Sequence, residues 1–456
     1  MSRLRLYARK YLLLSFIALL LTLTFQSLPT DAAQRRFADI ERFPQNGAFY
    51  LPSDPDAPIA DYVNQVVYAE EYLRRHFAPW HAEDLSFLDL TFERLFAYHR
   101  SLAAGQWYSS DGGRMAGNSI DAIAKNGVID ENAIPRPGII IQPTDVRVLP
   151  YERPVHSSQA AALGSNGRLR LDILQISAAH LGEPAAIFGA SADSNWIYIA
   201  TGTVVGWVKA SSVALVDNDF IDRFLFSEKV VVARDNIEVT GEQGNLLYKL
   251  KLGAVLPIEN NEVLLPTRGT SGFADVIRLE LNSGIAHAFP MFPMRFTPRN
   301  AALAMEQLMD EPYGWGGASG FRDCSAMTKD YFSLFGIWLP RNSGDQAMTG
   351  ARISLGNIPV GERSGVIANQ GVPFATLVQM PGHIMLYIGV HDGEPLVFHN
   401  TWGVQTRGGG RAVVGRAVVT SLKLGAEIPD KQDNSLLLDR VAVMSFPMAD
   451  LISAAR

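Results

Sequence analysis

The sequence predicts an α+β chain built in series: a small helical region, a long stretch of short strands, and a domain that mixes helices with strands. Three observations predict it. Apolar residues recur at helical spacing before Pro135, runs of Val, Ile and Tyr broken by Gly, Asn and Asp fill residues 139–290, and both patterns occur after Thr297. At 456 residues the chain has room for about three domains. With 47% hydrophobic and 19% charged residues it holds ample core material, which excludes disorder over most of its length. Forty Lys and Arg against 46 Asp and Glu give a net charge of -6. A non-specific nucleic-acid binder needs a cationic surplus to displace counterions, so no nucleic-acid partner is expected. The single cysteine, Cys324, excludes an internal disulfide and any multi-cysteine metal site.

Residues 1–33 read as a secretory signal peptide. Arg3, Arg5, Arg9 and Lys10 form a basic start, Tyr11 to Phe25 is almost wholly apolar, and Ala32-Ala33 supplies small residues for cleavage. The apolar core is shorter than the roughly 20 residues that span a bilayer as a helix, so no stable span is expected after processing. No cysteine follows it to carry a lipid. The expectation is export, to the periplasm or outside the cell. In such oxidising surroundings a lone thiol is either inertly buried or chemically employed.

Residues 34–137 read as a mostly helical region. Val63, Val66, Val67, Leu73 and Phe77 fit one helix, and Phe92, Leu95, Phe96 and His99 line a second between Leu88 and Leu102. Pro135 and Pro137 close the region. Strand runs follow at 196–199, 204–208, 229–232 and 253–258. Two modules, 138–222 and 223–295, fit this length better than one, with a split near Phe220 to Ser227. The chemistry lies in the remaining part, 296–456.

Thr297-Pro298 opens a helix by the N-cap-then-proline rule, with Ala302, Met305, Leu308 and Met309 on its buried side. Tyr313-Gly314-Trp315-Gly316-Gly317 is too glycine-rich to continue it. Asp323-Cys324-Ser325 then leads into a helix that stops by Gly336, which puts Cys324 at a helix N-terminus. Unpaired N–H groups and the positive dipole end lower a thiol's pKa there. A cysteine nucleophile also needs a base and a group that orients the base. His76, His81, His99, His156, His180 and His287 have packing or surface explanations. His383 begins a strand after Pro381-Gly382, and His399 lies in the next strand. A two-residue turn at Asp392-Gly393 puts the two histidines on opposite faces, whereas a three-residue loop from His391 to Gly393 pairs Met385 with His399. In the second register the histidines are diagonal neighbours on one face, and His391 is a turn residue without a catalytic part. The second register is the one expected.

Two resemblances now join these readings. Trp196-Ile197-Tyr198-Ile199 followed by Gly206-Trp207-Val208 resembles the core of bacterial SH3-like barrels; the 228–290 copy lacks the Gly-Trp pair. Five pieces stand in the order seen in NlpC-type cell-wall cysteine peptidases, which they resemble over about 297–445. They are Tyr313 to Gly317, Asp323-Cys324-Ser325, Leu339-Pro340-Arg341-Asn342-Ser343 with Gln346, Gly382-His383 before a Tyr-Ile-Gly strand, and His399. The resemblance implies a papain-like catalytic domain preceded by two SH3-like barrels and an N-terminal helical stabilising domain. The layout is similar to γ-D-glutamyl-L-diamino acid endopeptidases that trim peptidoglycan peptides. It implies Cys324 as nucleophile, His383 as base and His399 as the group polarising His383. It further implies Asp323 as the contact for the free amine of an N-terminal L-alanine, with Ser325 and Ser343 as neighbouring substrate contacts. The bland role of Asp323 is a helix cap, and both roles fit. Arg341 is a structural or a substrate-carboxylate contact, and Tyr313 shapes the cleft or helps an oxyanion hole.

Two departures stand out: Ala326 where many relatives carry glycine, and 375–380 in place of the usual Gly-Asp-Leu strand. The first barrel is expected to wall the substrate cleft. Gly408-Gly409-Gly410 lacks the setting of a phosphate loop and reads as an ordinary mobile loop. No cofactor or metal is implied, the partners are peptidoglycan stem peptides or muropeptides, and a monomer is expected. The rival readings are a D,D-endopeptidase of peptidoglycan crosslinks, a transacylase, and a non-catalytic wall-binding protein.

Overall fold

The computed structural model describes residues 36–88, 105–130, 133–241 and 245–448, together with Leu90, Glu93, Leu95 and Leu102. The expected signal peptide lies outside the described residues, as do Phe92, Phe96 and His99 of the second expected helix. Among the described residues no helix is long and apolar enough to cross a membrane.

Helix α1 (Tyr62–Phe77) starts at Asp61, whose carboxylate accepts the N–H groups of Val63 and Asn64. The helix forms where expected, with Leu73 and Phe77 turned inward, but its first turns present a different face. Val63 and Val67 are 74% and 60% exposed, while Gln65, Ala69 and Phe77 are buried. Gln65 explains the rotation. Its Nε2 donates to the carbonyls of Met294 and Phe335, and its Oε1 accepts from the N–H of Phe296. Those backbone groups need polar partners, which valine cannot supply.

The first antiparallel sheet has seven strands: β1 (Arg136–Ile140), β2 (Thr144–Arg147), β3 (Gln175–Ala179), β4 (Pro184–Ala190), β5 (Trp196–Ala200), β6 (Val205–Lys209) and β7 (Val213–Leu215), in the order β3-β2-β6-β5-β4-β1-β7. Tyr198 and Trp207 meet in its core with ring centroids 5.0 Å apart. Helix α2 (Asn218–Phe226) occupies the stretch where the sequence suggested a split, and buries Phe220, Ile221 and Phe224. Beyond it come β8 (Glu228–Val231), β9 (Ile237–Thr240), β10 (Leu246–Leu250), β11 (Val255–Glu259), β12 (Glu262–Arg268) and β13 (Ala274–Glu280). They form a sheet ordered β13-β12-β11-β8 and a separate β9–β10 pair.

In the C-terminal part, Thr297 caps α3 (Pro298–Leu308) through the N–H of Asn300. Helix α4 (Cys324–Ser333) and α5 (Val360–Gln370) follow. The sheet comprises β14 (Ala351–Ser354), β15 (Leu377–Met380), β16 (His383–His391), β17 (Glu394–Gln405), β18 (Arg411–Ser421) and β19 (Val443–Phe446), ordered β14-β19-β15-β16-β17-β18. Ile384, Leu386 and Phe398 share a core with α3 and α4, while Met385, Tyr387 and Val397 pack with Ile367 of α5. The segment that departs from the Gly-Asp-Leu pattern still forms a strand, β15, paired with β16 from Leu377↔Leu386 to Met380↔His383.

Candidate active site

The glycines ahead of α4 are required by backbone shape. Gly316 and Gly317 have φ of 59° and 83°. A Cβ on Gly316 would sit 2.8 Å from the Gln175 carbonyl oxygen, and one on Gly317 2.7 Å from the Ala178 nitrogen. The loop is therefore moulded against β3 of the first barrel. Gln175 Nε2 donates back to the Gly316 carbonyl at 3.0 Å.

Asp323 caps α4. Its Oδ1 accepts from the Ala326 N–H at 2.8 Å and from Ser325 Oγ at 3.2 Å, and its Oδ2 accepts from the Gly316 N–H at 3.1 Å. Arg341 closes on the same carboxylate with Nη2 at 2.7 Å and Nη1 at 3.1 Å. Arg341 also donates from Nη1 to Ser325 Oγ and from Nε to Ser177 Oγ of β3 at 2.8 Å. Asp323, Ser325 and Arg341 thus form one buried network anchored on the barrel. Every nitrogen of Arg341 has a partner within the protein, which makes it a structural contact between two domains in this state. Ser343 is half-buried at the start of a short helix that ends at Gln346. Gln346 donates to the carbonyls of Ser325 and Pro340 and accepts from Thr328 Oγ1.

The Cys324 thiol is buried against β16, where it meets the backbone N–H of Ile384, the residue after His383. The helix terminus was expected to lower its pKa, and the outcome is opposite. Burial, assisted by the Asp323 charge, pushes the thiol up to about 12, and the Ile384 N–H and Arg341 offset only part of this. His383 is held down to about 4, first by burial and then by the positive charge of Arg440, with Asp323 opposing. With the thiol raised and the imidazole lowered, burial favours the neutral form of each.

His383 Nε2 lies 2.7 Å from His399 Nδ1, and His399 Nε2 lies 3.0 Å from Thr420 Oγ1 on β18. Engagement of Nε2 by His399 leaves Nδ1 as the ring nitrogen of His383 that can serve a thiol. The histidines meet in the expected register by an unexpected device. The turn has two residues, His391 pairing with Glu394 across Asp392 (φ 50°) and Gly393 (φ 76°). A bulge between Tyr387 and Gly389 then shifts the ladder to Leu386↔Phe398, which carries His399 opposite Met385. His391 sits at the strand end among the rings of Phe43, Phe49 and Tyr50, at centroid distances of 6.3, 5.1 and 5.9 Å.

Tyr313 is half-buried with its ring edge-on to Trp402, and burial, Cys324 and Asp323 all raise its hydroxyl pKa, so it remains a neutral donor. The first barrel reaches the site from a second side, where Trp402 Nε1 donates to the Gly167 carbonyl at 2.8 Å. The glycine run is no free loop. A Cβ on Gly409 would lie 2.7 Å from Arg168 Nη2, and one on Gly410 2.8 Å from the Asn166 carbonyl oxygen.

Two features escaped the sequence reading. Thr420 is one; its only signal is a hydroxyl side chain after Val418-Val419, followed by another at Ser421. The other is Arg322, directly before Asp323 and 2% exposed. Its guanidinium meets Asp330 at 2.6 Å, Glu311 at 3.1 Å and Asp235 at 2.9 Å, and donates to the Leu252 carbonyl. Asp235 and Leu252 come from the second β module, so the segment bearing the thiol is also tied to that module.

Known proteins align with this architecture. Residues 310–408 match the NlpC/P60 family, residues 164–209 match an SH3 domain of the SH3b1 type, and residues 12–131 match the N-terminal NLPC_P60 stabilising domain. The chain thus carries an NlpC/P60 domain behind an SH3-like domain and a helical region, and NlpC/P60 peptidases are cysteine peptidases. A structure described as a novel NlpC/P60 endopeptidase from Photobacterium damselae subsp. piscicida superposes with a TM-score of 0.78 at 24% identity, covering 89% of this chain and 97% of that one. An NlpC/P60 family protein from Bacillus cereus ATCC 10987 gives a TM-score of 0.45 at 17% identity over 68% of this chain and 98% of that one. The γ-D-glutamyl-L-lysine dipeptidyl-peptidase of Bacillus subtilis (strain 168) is 42% identical over 52 residues, which is 11% of this chain and only 18% of that protein's length.

Proposed function

We propose that this protein is an exported cell-wall cysteine peptidase that cleaves the γ-D-glutamyl bond to the diamino acid of peptidoglycan stem peptides. The observation that carries the reading is the thiol of Cys324 at the start of α4, against the strand that begins with His383, with His383 joined to His399 and Thr420. The name of the Bacillus subtilis relative supports the choice of bond. In this reading Nδ1 of His383 takes the thiol proton as sulfur attacks the γ-carbonyl carbon. The N–H groups at the start of α4 stabilise the oxyanion. His383 then returns the proton to the leaving amine, and water hydrolyses the thioester. Because ionisation accompanies attack, the preference of each group for its neutral form is no obstacle.

Recognition of a free L-alanine amine by Asp323 is the finer part. Its carboxylate is already compensated by Arg341, so an amine would join an existing pair rather than meet an isolated charge. The test incubates the protein and its Cys324→Ala variant with L-Ala-γ-D-Glu-meso-diaminopimelate, the N-acetylated peptide and purified sacculi, with products read by mass spectrometry. Release of L-Ala-D-Glu from the free peptide alone, lost in the variant, supports both the nucleophile and the amine requirement. Equal cleavage of the acetylated peptide leaves Asp323 as a cap only. Cleavage of sacculi with the free peptide untouched sinks the γ-D-glutamyl assignment.

A further inference from the structure

Asn400 follows His399 directly in β17 and is fully buried. Successive residues of a strand point to opposite faces, so the two side chains serve opposite sides of the sheet. His399 meets His383 at 2.7 Å and Thr420 at 3.0 Å. Asn400 turns instead to the segments that frame the thiol. Its Nδ2 donates to the Arg322 carbonyl at 2.9 Å and leans between the Glu311 and Pro312 carbonyls, 3.4 Å from each. Arg322 stands two residues before Cys324, and Pro312 directly before Tyr313. The same Arg322 carbonyl also accepts the N–H of Gly314 at 3.0 Å. One amide therefore holds both the segment that delivers the nucleophile and the segment that delivers Tyr313.

The other end of the amide shows what the residue is for. Asn400 Oδ1 is buried and has no hydrogen-bond partner among the described residues. Exchanging the two ends would set that oxygen against three carbonyl oxygens, so the amide orientation is fixed. A buried acceptor without a partner costs free energy, and a side chain present only for packing would be apolar, as the neighbouring Phe398 and Ala417 are. What the asparagine supplies is its N–H donor. Other bonds hold the surrounding fold: the N–H groups of Asp310 and Tyr313 reach the carbonyls of Ala417 and Gly415, and the Arg322 guanidinium has its three carboxylates. We infer that Asn400 is a positioning residue: by gripping the Arg322 carbonyl from the strand that carries His399, it sets the reach between the Cys324 sulfur and the His383 imidazole. The inference rests on the proposed thiol–imidazole chemistry. A thiol and a base set slightly out of reach lose proton transfer but not substrate binding, so the effect falls on kcat.

The experiment measures kcat and KM on L-Ala-γ-D-Glu-meso-diaminopimelate for the unaltered chain, Asn400→Leu and Asn400→Asp, with Cys324→Ala as the blank. Asn400→Leu should lower kcat about 10- to 100-fold and leave KM within about twofold, at a temperature well below its melting point. Asn400→Asp is the second variant. Ionised, its carboxylate faces three carbonyl oxygens; protonated, its O–H can donate to the Arg322 carbonyl. Its kcat relative to the unaltered chain should therefore rise several-fold as the pH falls from about 8 to about 5.5, a profile that lost packing does not produce. A kcat of Asn400→Leu within about twofold of the unaltered chain overturns the inference, as does a loss carried equally by KM. A flat relative profile for Asn400→Asp overturns it too, and that profile decides alone where Asn400→Leu does not fold. An unaltered chain that leaves the tripeptide uncut is a separate result, which removes the proposed function and the inference with it.

Discussion

Cys324 and its partners are a case in which the site's charge state follows from packing more than from helix position. The thiol sits at a helix start, yet burial raises it to about 12 and lowers His383 to about 4. Alkylation of Cys324 by iodoacetamide should therefore climb about tenfold per pH unit between about pH 7 and 9. A plateau in the acid range would instead reveal a resting thiolate–imidazolium pair. Thr420 acts through His399, so Thr420→Val should lower kcat about tenfold with KM nearly unchanged, measured on the free tripeptide. A KM effect of equal size would mean that the hydroxyl serves substrate binding. The convergence of Cys324, His383 and His399 on one place was legible because the segments bearing them carry local signals: a glycine loop, a cap and a hairpin. Thr420 was not legible, since a threonine in a strand is an ordinary strand residue until its partner is known.

At the scale of elements, the sequence reading succeeded where the signal was local. The cap at Thr297, the start of α4 and β15 all follow from neighbouring residues. It also found the register that sets His399 opposite Met385, although a bulge and a two-residue turn produce it rather than a three-residue loop. It found α1 but misplaced Val63 and Val67, because the inward face of the first turns is chosen by backbone groups more than 200 residues away: Gln65 answers Met294, Phe296 and Phe335. It missed Arg322 for the same reason, since Asp235 is 87 positions distant. Replacing Arg322 with Met should cost about 3–5 kcal/mol in urea denaturation, because Asp330, Glu311 and Asp235 would be left buried without their shared cation. Asp235→Asn should cost less, as Glu311 and Asp330 remain. An effect below about 1 kcal/mol for Arg322→Met would show the site to be wet, like an exposed pair.

For the whole molecule, the buried His383 and His399 and the half-buried His76 tie stability to pH. His76, packed between Tyr72 and Phe77, is lowered to about 3, His383 to about 4, and His399 well below its ordinary value, all chiefly by burial. Each has a folded pKa below its unfolded one, so between the two the unfolded chain binds more protons. The stability they contribute is complete above about pH 6.5 and is lost as the pH falls. Asp39, Asp145 and Glu311, raised by burial, act in the opposite sense at lower pH. Melting temperature should thus fall between about pH 6.5 and 5, and the slope should be shallower in His76→Gln. Equal slopes would mean that His76 is protonated at no cost. The same architecture has a consequence for timing. Arg322 needs Asp235 and Leu252, Arg341 needs Ser177, and the loop at Gly316 needs Gln175, so the segment around Cys324 is shaped only after residues from both β modules have docked. In a chain still emerging or half-folded, that segment lacks the partners that give it its shape. In refolding, the tryptophan fluorescence of the first barrel should return before the peptidase activity proposed above does, so that packing of the modules sets the moment at which the Cys324 segment takes its final shape.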